Sequence, residues 1–343
     1  MNKWFDTPAE ENGIVISSRI RLARNVIEFP FHRKMTGKQR EKLNQMVKEA
    51  LSNMNLGENK LTFVNLGELN QIKRQSLIEK HLISRELAQE PEGRMLVVSE
   101  DESVAIMVNE EDHLRIQVMA NGLNLRKAYE TCNMLDDVLD ETLHYAFDEK
   151  LGYLTACPTN LGTGLRASVM MHLPALEASG LISRLTSTIS KLGLTIRGTY
   201  GEGSSVLGSI YQISNQITLG ITESDAIQNL ESVAKQIIQS ENIARENRKK
   251  SGYELEDTVF RSLGILRYAR LLSTSDFFQA ASQVRLGVSM GYIQDVPMTA
   301  LNDLMGLTGA ASVCELAGKE LAPEERDYMR AKIVREKLAE EHA

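Results

Sequence analysis

Hydrophobic and polar residues alternate over several short stretches in the first half of the chain. VISSRIRLARNV (15–26) has the alternation of a strand, and HLRIQVMA (113–120) has it again. Between them, RMLVVSE (94–100) and VAIMVNEE (104–111) are two short apolar runs separated by charged residues, which predicts a hairpin. The pattern therefore predicts strands that pair with close neighbours in an antiparallel sheet.

Other stretches have helical spacing instead. Apolar residues recur every three or four positions in TGKQREKLNQMVKEALSNM (36–54), and Thr36 is placed to cap that helix. LRKAYETCNMLDDVLDETL (125–143) is amphipathic, and a further helix is predicted through about residues 224–247. Because hairpins occur in place of a regular strand–helix alternation, we predict an antiparallel α+β fold.

The composition changes in RENRKKSGYELED (245–257), which is almost entirely charged or small and is the best candidate for a linker. Only helical patterns follow, with Pro297 and Pro323 where first-turn prolines belong. We therefore predict a first domain over residues 1–250 and an all-helical C-terminal domain over residues 258–343.

Composition narrows the class of protein. The chain has 343 residues, 42% hydrophobic and 25% charged, as expected for a globular protein of two domains or one large domain. Its net charge of −7 argues against a dedicated nucleic-acid binder. Cys132, Cys157 and Cys314 lack the spacing of a disulfide framework, which favours a reducing compartment. With no apolar run of signal or membrane-span length, the expectation is a cytoplasmic protein without membrane contact.

Arginines recur in four segments of the first domain. The segments are SSRIR (17–21), NEEDHLR (109–115), GTGLRAS (162–168) and RGTYGEG (197–203). Arg19 and Arg21 are two apart, so both point to one face of a strand and repel unless an anion lies between them. Glycines beside Arg166 and Arg197 leave space for a ligand near the backbone. Any one arginine alone is better explained as a surface or ion-paired residue, but together they favour a phosphate site.

The acidic run Glu110, Glu111 and Asp112 ends a strand. Such a run is normally a solvated loop, but a carboxylate facing a phosphate site could hold a guanidinium and take its proton. The chain has no Walker lysine loop, kinase glycine loop or zinc-ligand spacing. The residues alone predict an α+β enzyme that binds phosphate.

The same segments resemble the ATP:guanido phosphotransferase family, which includes creatine and arginine kinases. SSRIR, NEEDHLR, CPTNLGTGLRA and RGTYGE occur here in the family's order and cover about residues 15–245. The resemblance implies an antiparallel sheet flanked by helices. It also implies ATP with Mg²⁺, the metal being held mainly through the nucleotide and water.

By the same resemblance, five arginines would clamp the phosphates of ATP. They are Arg19, Arg21, Arg115, Arg166 and Arg197. The wider set of implied ATP contacts comprises Ser18, Ile20, Leu22, His81, Ala167, Ser168, Val169, Met170, Gly198, Thr199, Tyr200, Gly201 and Glu202. Of these, His81 matches a family histidine near the nucleotide, although a lone histidine is more often structural or exposed.

The resemblance also assigns the arginine-type substrate. Glu111 and Glu202 would hold its guanidinium between two carboxylates and orient the attacking nitrogen. Cys157 would lie beside the guanidinium, with its thiolate favoured by neighbouring cations. The alternative for Cys157 is a partly buried, unreactive thiol.

Two departures from the small-molecule members of the family point to one branch. Since SSRIR begins at residue 17, we expect the chain to lack their N-terminal helical domain, and a helical extension follows the catalytic part. Both features resemble the bacterial protein-arginine kinases. In RDYMRA, the resemblance implies phosphoarginine binding by Arg326, Asp327, Arg330 and Ala331, although a solvated helix face would look similar.

The leading hypothesis is a kinase that phosphorylates exposed arginine side chains of proteins. The alternatives are a small-molecule guanidino kinase and a non-catalytic phosphoarginine reader. The resemblance implies a role in stress response and protein quality control, with a heat-shock repressor, a Clp protease chaperone and an activator protein as partners. The sequence does not determine whether copies of the chain form a homo-oligomer.

Overall fold

The structure, a computed structural model, describes residues 3–5, 13–52, 54, 59–198, 206–250 and 252–340. The strands within them are β1 (Val15–Arg24), β2 (Leu61–Asn65), β3 (Met95–Ser99), β4 (Val104–Val108), β5 (Leu114–Asn121), β6 (Phe147–Asp148), β7 (Gly152–Tyr153), β8 (Leu165–His172), β9 (Leu194–Gly198) and β10 (Ile210–Asn215). The helices are α1 (Gly37–Ser52), α2 (Gln71–Glu79), α3 (Arg85–Gln89), α4 (Leu125–Leu143), α5 (Pro174–Ala178), α6 (Ile182–Ser190), α7 (Glu223–Lys249), α8 (Tyr253–Tyr268), α9 (Thr274–Ser289), α10 (Met298–Leu307), α11 (Ala310–Ala317) and α12 (Pro323–Glu340).

Eight strands form one sheet in the order β2-β3-β4-β5-β1-β8-β10-β9, and every neighbouring pair is antiparallel. The hydrophobic pattern correctly predicts the hairpin of β3 and β4, the strand β5 and the helices α1 and α4. The α+β fold with an antiparallel sheet flanked by helices and a helical C-terminal region is thus confirmed.

The two faces of β1 have different surroundings because its side chains alternate. Ile20 and Leu22 point into the main hydrophobic core, which also contains the apolar faces of α1, α4 and α7. Arg19 and Arg21 point to the opposite face. The strand therefore separates an apolar core from a cationic surface.

Two smaller apolar clusters flank that cationic surface. In one, the apolar residues of α2 and α3 pack on β3 and β4, as Leu77 and Leu87 do against Leu96 and Met107. In the other, helices α8, α9, α10 and α12 pack together and against the sheet through residues such as Met170. The C-terminal helices thus contact the same sheet that carries the arginines.

The segment predicted to be a linker is mostly helical in the structure. Helix α7 continues through Lys249 and α8 begins at Tyr253, so most of residues 245–257 is helical. Not every charged residue of this segment faces solvent. Arg245 is buried, and its Nε donates to Glu241 Oε1 at 2.9 Å. The division into domains near residue 250 stays a prediction.

The two prolines also behave differently. Pro323 opens α12 as expected, whereas Pro297 is the residue preceding α10. Among the described residues, no helix has both the length and the apolar character that crossing a bilayer requires.

Candidate active site

The register of the sheet brings all five predicted arginines to one face. Arg21 lies opposite Arg166 of β8, and Arg19 lies opposite Ser168. On the other side of β1, Ala23 lies opposite Arg115 of β5, which gives Arg115 the same orientation as Arg19 and Arg21. Arg197 of β9 reaches this face through its pairing with Gln212 of β10, which lies opposite Met170. Directly opposed residues of antiparallel strands share a face, so the register alone assembles the cluster.

Like charges in this cluster destabilise one another. Burial and the charges of Arg115 and Arg166 lower the pKa of Arg19 to about 9. The pKa of Arg21 falls well below its ordinary value because of burial and the charges of Arg19, Arg115 and Arg166. The hydrogen-bond acceptors of Arg19 in these two contacts are neutral. Its Nη2 donates to Gln212 Oε1 at 2.7 Å, and its Nε donates to Ser168 Oγ at 3.3 Å. Among the described residues, the buried Nε of Arg21 has no hydrogen-bond acceptor. An anion between these guanidinium groups would relieve both deficits.

His81 lies at the edge of the arginine face, directly after α2. Its carbonyl accepts a 2.7 Å hydrogen bond from Nε2 of Gln117, which lies opposite Arg21 in the sheet. Burial and the charges of Arg19 and Arg21 lower the pKa of His81 to about 3. The imidazole is therefore neutral at neutral pH and suits hydrogen bonding to a ligand more than charge pairing.

The acidic run of NEEDHLR forms the turn between β4 and β5. Glu110 is buried, and its Oε1 accepts a 2.6 Å hydrogen bond from Nη1 of Arg115. Burial opposes ionisation of Glu110, but Arg115, Ser84 and the backbone N–H of Glu111 outweigh it and lower the pKa of that carboxyl. Glu110 thus fixes Arg115, a role that the sequence interpretation did not assign.

Glu111 differs from its neighbour in exposure and in charge environment. Its side chain is exposed at the tip of the turn. Burial of part of the carboxyl, together with the negative charges of Asp112 and Glu110, raises its pKa. A carboxylate that is accessible and more basic than usual fits the predicted role of proton acceptor.

The third carboxylate of the run joins this turn to the loop that carries Cys157. Asp112 Oδ1 accepts hydrogen bonds from Nδ2 of Asn25 at 2.7 Å and from the backbone N–H of Ala156 at 2.6 Å. Asn25 in turn accepts the backbone N–H of His113 at 3.0 Å. The buried hydrogen bonds of Asn25 and Asp112 therefore fix the loop of Cys157 relative to the turn that carries Glu111. In sequence, the only signal for this network is that the polar Asn25 directly follows the strand β1.

Cys157 is half-exposed, whereas Cys132 and Cys314 are buried. Its sulfur lies 3.1 Å from Oγ1 of Thr159, and its carbonyl accepts a 2.8 Å hydrogen bond from Oγ1 of Thr155. The thiol is thus accessible and lies in a polar loop, as a role beside a polar substrate requires.

The glycines before Arg166 lie where the loop packs closely on neighbouring backbone. Gly164 has a φ of +62°, and a Cβ there would lie 2.6 Å from the carbonyl oxygen of Ala23 and 2.7 Å from Nη1 of Arg24. At Gly162, φ is +108° and a Cβ would collide with the carbonyl oxygen of Thr218. Glycine is therefore required here for close packing of the loop on β1 and on the residues after β10, a reason that the sequence interpretation did not give, and the approach of a ligand at these glycines stays a prediction.

A buried ion pair that the sequence interpretation missed supports the same loop. Arg24 is 1% exposed, and its Nη2 donates to Asp136 Oδ2 of α4 at 2.7 Å. Its Nη1 donates to the carbonyl of Thr163 at 2.9 Å, and its guanidinium lies 3.5 Å from the centre of the Tyr153 ring. Arg24 thereby ties the loop between Cys157 and Arg166 to the central helix.

Several implied ATP contacts occupy other positions. The residues whose side chains face the opposite side of the sheet are Ser18, Ile20, Leu22, Ala167 and Val169. They are buried in strands, so they support the sheet instead of touching a ligand on the arginine face. Met170 and Ser168 do share that face, and Gly198 ends β9. Thr199, Tyr200, Gly201 and the second predicted carboxylate, Glu202, lie outside the described residues.

The RDYMRA segment lies in α12. Arg330 is 1% exposed, and its Nε and Nη1 donate to the carbonyls of Thr308 and Leu272, each at 2.7 Å. Its Nη1 also donates to Asp327 Oδ1 at 2.7 Å, while Nη1 of Arg326 donates to the carbonyl of Leu321 at 2.9 Å. The segment is therefore part of the packing between helices and not a free solvated face.

Two family models divide the chain between them. The model of the ATP:guanido phosphotransferase C-terminal catalytic domain matches residues 42–244, and the model of the protein-arginine kinase McsB C-terminal domain matches residues 252–343. Solved structures agree with the first match. A duplicated taurocyamine kinase from Schistosoma mansoni with bound transition state analog components is 29% identical with a TM-score of 0.62, covering 75% of this chain and 38% of that one. Lombricine kinase is 27% identical with a TM-score of 0.61 and 68% coverage of each chain.

Curated relatives match over nearly the whole length. The protein-arginine kinase of Clostridium kluyveri is 47% identical over 341 residues, which is 99% of each chain. The protein-arginine kinase of Pelotomaculum thermopropionicum is 47% identical over 339 residues, 98% of this chain and 95% of the relative. The chain therefore belongs to the ATP:guanido phosphotransferase family, within its branch of protein-arginine kinases.

Proposed function

We propose that this enzyme transfers the γ-phosphoryl group of ATP to the guanidinium of arginine side chains in proteins. The observation that carries the proposal is the sheet register that brings five arginines to one face beside the carboxylates of the β4–β5 turn. The near full-length similarity to enzymes named protein-arginine kinase supports a protein as the acceptor.

The residues of the face would act by position and charge. The arginines would hold the phosphate oxygens, and the charge that they present suits a loose transition state in which negative charge is spread over the transferred group. The attacking guanidinium nitrogen forms the bond to phosphorus as the bond to the β–γ bridging oxygen breaks and ADP leaves. Glu111 would accept the proton that this nitrogen loses. Cys157 and Glu202 would hold the rest of the guanidinium.

The side chains at the arginine face also indicate how magnesium would be held. No group of three or more His, Cys, Asp or Glu side chains suited to holding a metal is present among the described residues. A face of guanidinium groups fits phosphate oxygens and repels a bare cation. We therefore propose that Mg²⁺ reaches the site bound to the nucleotide and water, where it would neutralise phosphate charge.

A comparison of acceptors tests the proposal. The purified protein is incubated with ATP and either free arginine or an arginine-rich protein, and acid-labile phosphoarginine is detected by ³¹P NMR and mass spectrometry. We expect phosphoarginine on the protein and little on the free amino acid. Phosphorylation of free arginine alone would establish a small-molecule guanidino kinase, and binding of phosphoarginine without any transfer would establish a reader.

A second binding function is proposed for Arg326, Asp327, Arg330 and Ala331. It rests on the resemblance of RDYMRA to a phosphoarginine-binding pattern and on the partly exposed carboxylate of Asp327. Arg326 and Asp327 would contact the ligand, whereas the buried Arg330 would hold Asp327 in place and Ala331 would pack beneath them. Phosphoarginine binding there would recruit marked proteins. Calorimetry with phosphoarginine tests it, provided that ATP is used as a separate ligand to show that the catalytic face is intact.

The cellular role is proposed at a coarser level. Phosphorylation of protein arginine in the cytoplasm would serve stress response and protein quality control, with a heat-shock repressor, a Clp protease chaperone and an activator protein as partners. The support is the resemblance to bacterial protein-arginine kinases. Quantitative phosphoarginine proteomics before and after heat stress, in cells with and without the gene, would show no gene-dependent sites if this role is wrong.

A further inference from the structure

Helix α2 connects two layers of the molecule through opposite faces. Leu77 packs in the cluster that covers β3 and β4. Ile72 packs instead with Val313 and Cys314 of α11, and Ser76 Oγ lies 3.4 Å from Oγ of Ser312. Residues four and seven positions after Ile72 share its helix face, so Ser76 and Glu79 point to α11 as well.

Glu79, the last residue of α2, caps the N-terminus of α11. Its Oε1 accepts the backbone N–H of Ala311 at 2.9 Å, and its Oε2 accepts the backbone N–H and the Oγ–H of Ser312, both at 2.7 Å. The residue preceding the helix, Gly309, has no side chain with which to cap it, and a Cβ there would collide with the Glu79 carboxylate. A carboxylate from another layer therefore satisfies backbone donors that a helix normally caps locally.

The other side of the α11 N-terminus is also held. Arg330 of α12 donates to the carbonyl of Thr308 at 2.7 Å, immediately before Gly309. The start of α11 is thus fixed between a buried arginine of α12 and the carboxylate of Glu79. Because both contacts are charge-assisted, this point is a rigid attachment for α2.

Two residues after Glu79, the chain reaches the arginine face. His81 is a non-glycine residue with a φ of +59°, in the left-handed region that costs energy unless its surroundings fix it. Its carbonyl is held by Gln117, and its backbone N–H donates to the carbonyl of Ile78 at 2.9 Å. The position of the imidazole beside Arg19 and Arg21 therefore depends on where α2 ends.

We propose that Glu79 is a positioning residue for nucleotide binding, which acts by anchoring the end of α2 to α11 and so placing His81 at the phosphate-binding face. The inference rests on the proposed assignment of the arginine face to ATP. It gives the C-terminal helices a direct part in building the nucleotide site, through three hydrogen bonds that no residue of the sheet supplies.

The test uses Glu79→Gln in the full chain, because the amide has the same shape but turns a donor towards the α11 N–H groups. We expect both the KM for ATP and the ATP dissociation constant from calorimetry to rise roughly 3- to 10-fold, the scale of one misplaced hydrogen bond, with kcat within about twofold of wild type. Gly309→Ala displaces the same carboxylate from the α11 side and should give the same shift, which keeps the proposal testable if Glu79→Gln folds poorly.

Lys73→Met is the matched control. Lys73 pairs with Glu315 and so joins the same two helices at the far end of α2. Its loss should lower the melting temperature without changing ATP affinity, whereas a general weakening of the α2–α11 contact would make both variants weaken ATP binding equally and would overturn the proposal.

A double variant separates positioning from direct action. If Glu79 acts through His81, then Glu79→Gln combined with His81→Ala should bind ATP no more weakly than His81→Ala alone. Additive losses, or wild-type ATP affinity in Glu79→Gln, would overturn the inference. Arg21→Ala tests the underlying assignment separately, since retention of ATP binding in that variant would refute the proposed phosphate face itself.

Discussion

Replacing Glu111 with Gln removes a single negative charge from the tip of the β4–β5 turn and preserves the shape of the side chain. If Glu111 takes the proton from the attacking nitrogen, turnover should fall by about 10²–10⁴-fold, the usual range for loss of a general base. That corresponds to about 2.7 to 5.4 kcal/mol of activation free energy. ATP affinity should stay within about twofold, because Glu110 and not Glu111 pairs with Arg115.

The pH dependence gives a second signature. Burial and the charges of Asp112 and Glu110 raise the pKa of Glu111, and only its deprotonated form can accept a proton. Activity of the wild type should therefore fall as the pH drops through that raised pKa, at a higher pH than an ordinary glutamate with a pKa of about 4.3 would give. The Gln variant should lack this acidic limb.

The assay is steady-state phosphorylation of an arginine-rich protein across pH, with ATP binding measured by calorimetry. Glu41→Gln, an exposed glutamate of α1, is the matched control and should behave as wild type. Near-wild-type turnover in Glu111→Gln would remove Glu111 from the mechanism. Loss of ATP binding in that variant would show instead that the turn supports Arg115 as a unit.

Three further outcomes are expected. Alkylation should be fastest at Cys157, since the other two cysteines are buried, and substrate should protect it; mass spectrometry that finds another cysteine modified first would refute the placement of the thiol. Asp136→Asn should lower the free energy of unfolding in urea by about 3 kcal/mol, the lower end of the range for breaking a buried pair, because the buried guanidinium of Arg24 then keeps, among the described carboxylates, only that of Glu223, 3.4 Å away; a loss under about 1 kcal/mol would contradict that role. Arg326→Ala should abolish phosphoarginine binding in calorimetry and leave ATP affinity unchanged, because Arg330 then still holds the carbonyl of Thr308 before α11; unaltered phosphoarginine binding would refute the proposed second site.

The sequence by itself determined the elements and the chemical types at the site. Alternation in β1 separates Ile20 and Leu22 from Arg19 and Arg21, since consecutive side chains of a strand point to opposite faces. Helical spacing likewise gives the bounds of α4, because its apolar face must be buried. These properties are local, so a pattern of residues is sufficient to predict them.

Which arginines lie together at the site depends on the pairing of strands that are distant in sequence. No local pattern says that Arg115 lies opposite Ala23 or that Arg166 lies opposite Arg21, because register depends on turns and on the packing of the whole sheet. The ion pair between Glu110 and Arg115 likewise forms only when β4 and β5 pair.

Contacts between layers account for what the sequence interpretation assigned differently or missed. A glycine such as Gly164 looks the same in sequence whether the space beside it holds a ligand or, as here, a neighbouring carbonyl. An arginine of a charged helix such as Arg330 looks solvated until α12 packs and its donors meet the carbonyls of other segments. Glu79 is an ordinary helix-terminal residue in sequence, and only the tertiary structure brings the uncapped N–H groups of α11 to its carboxylate.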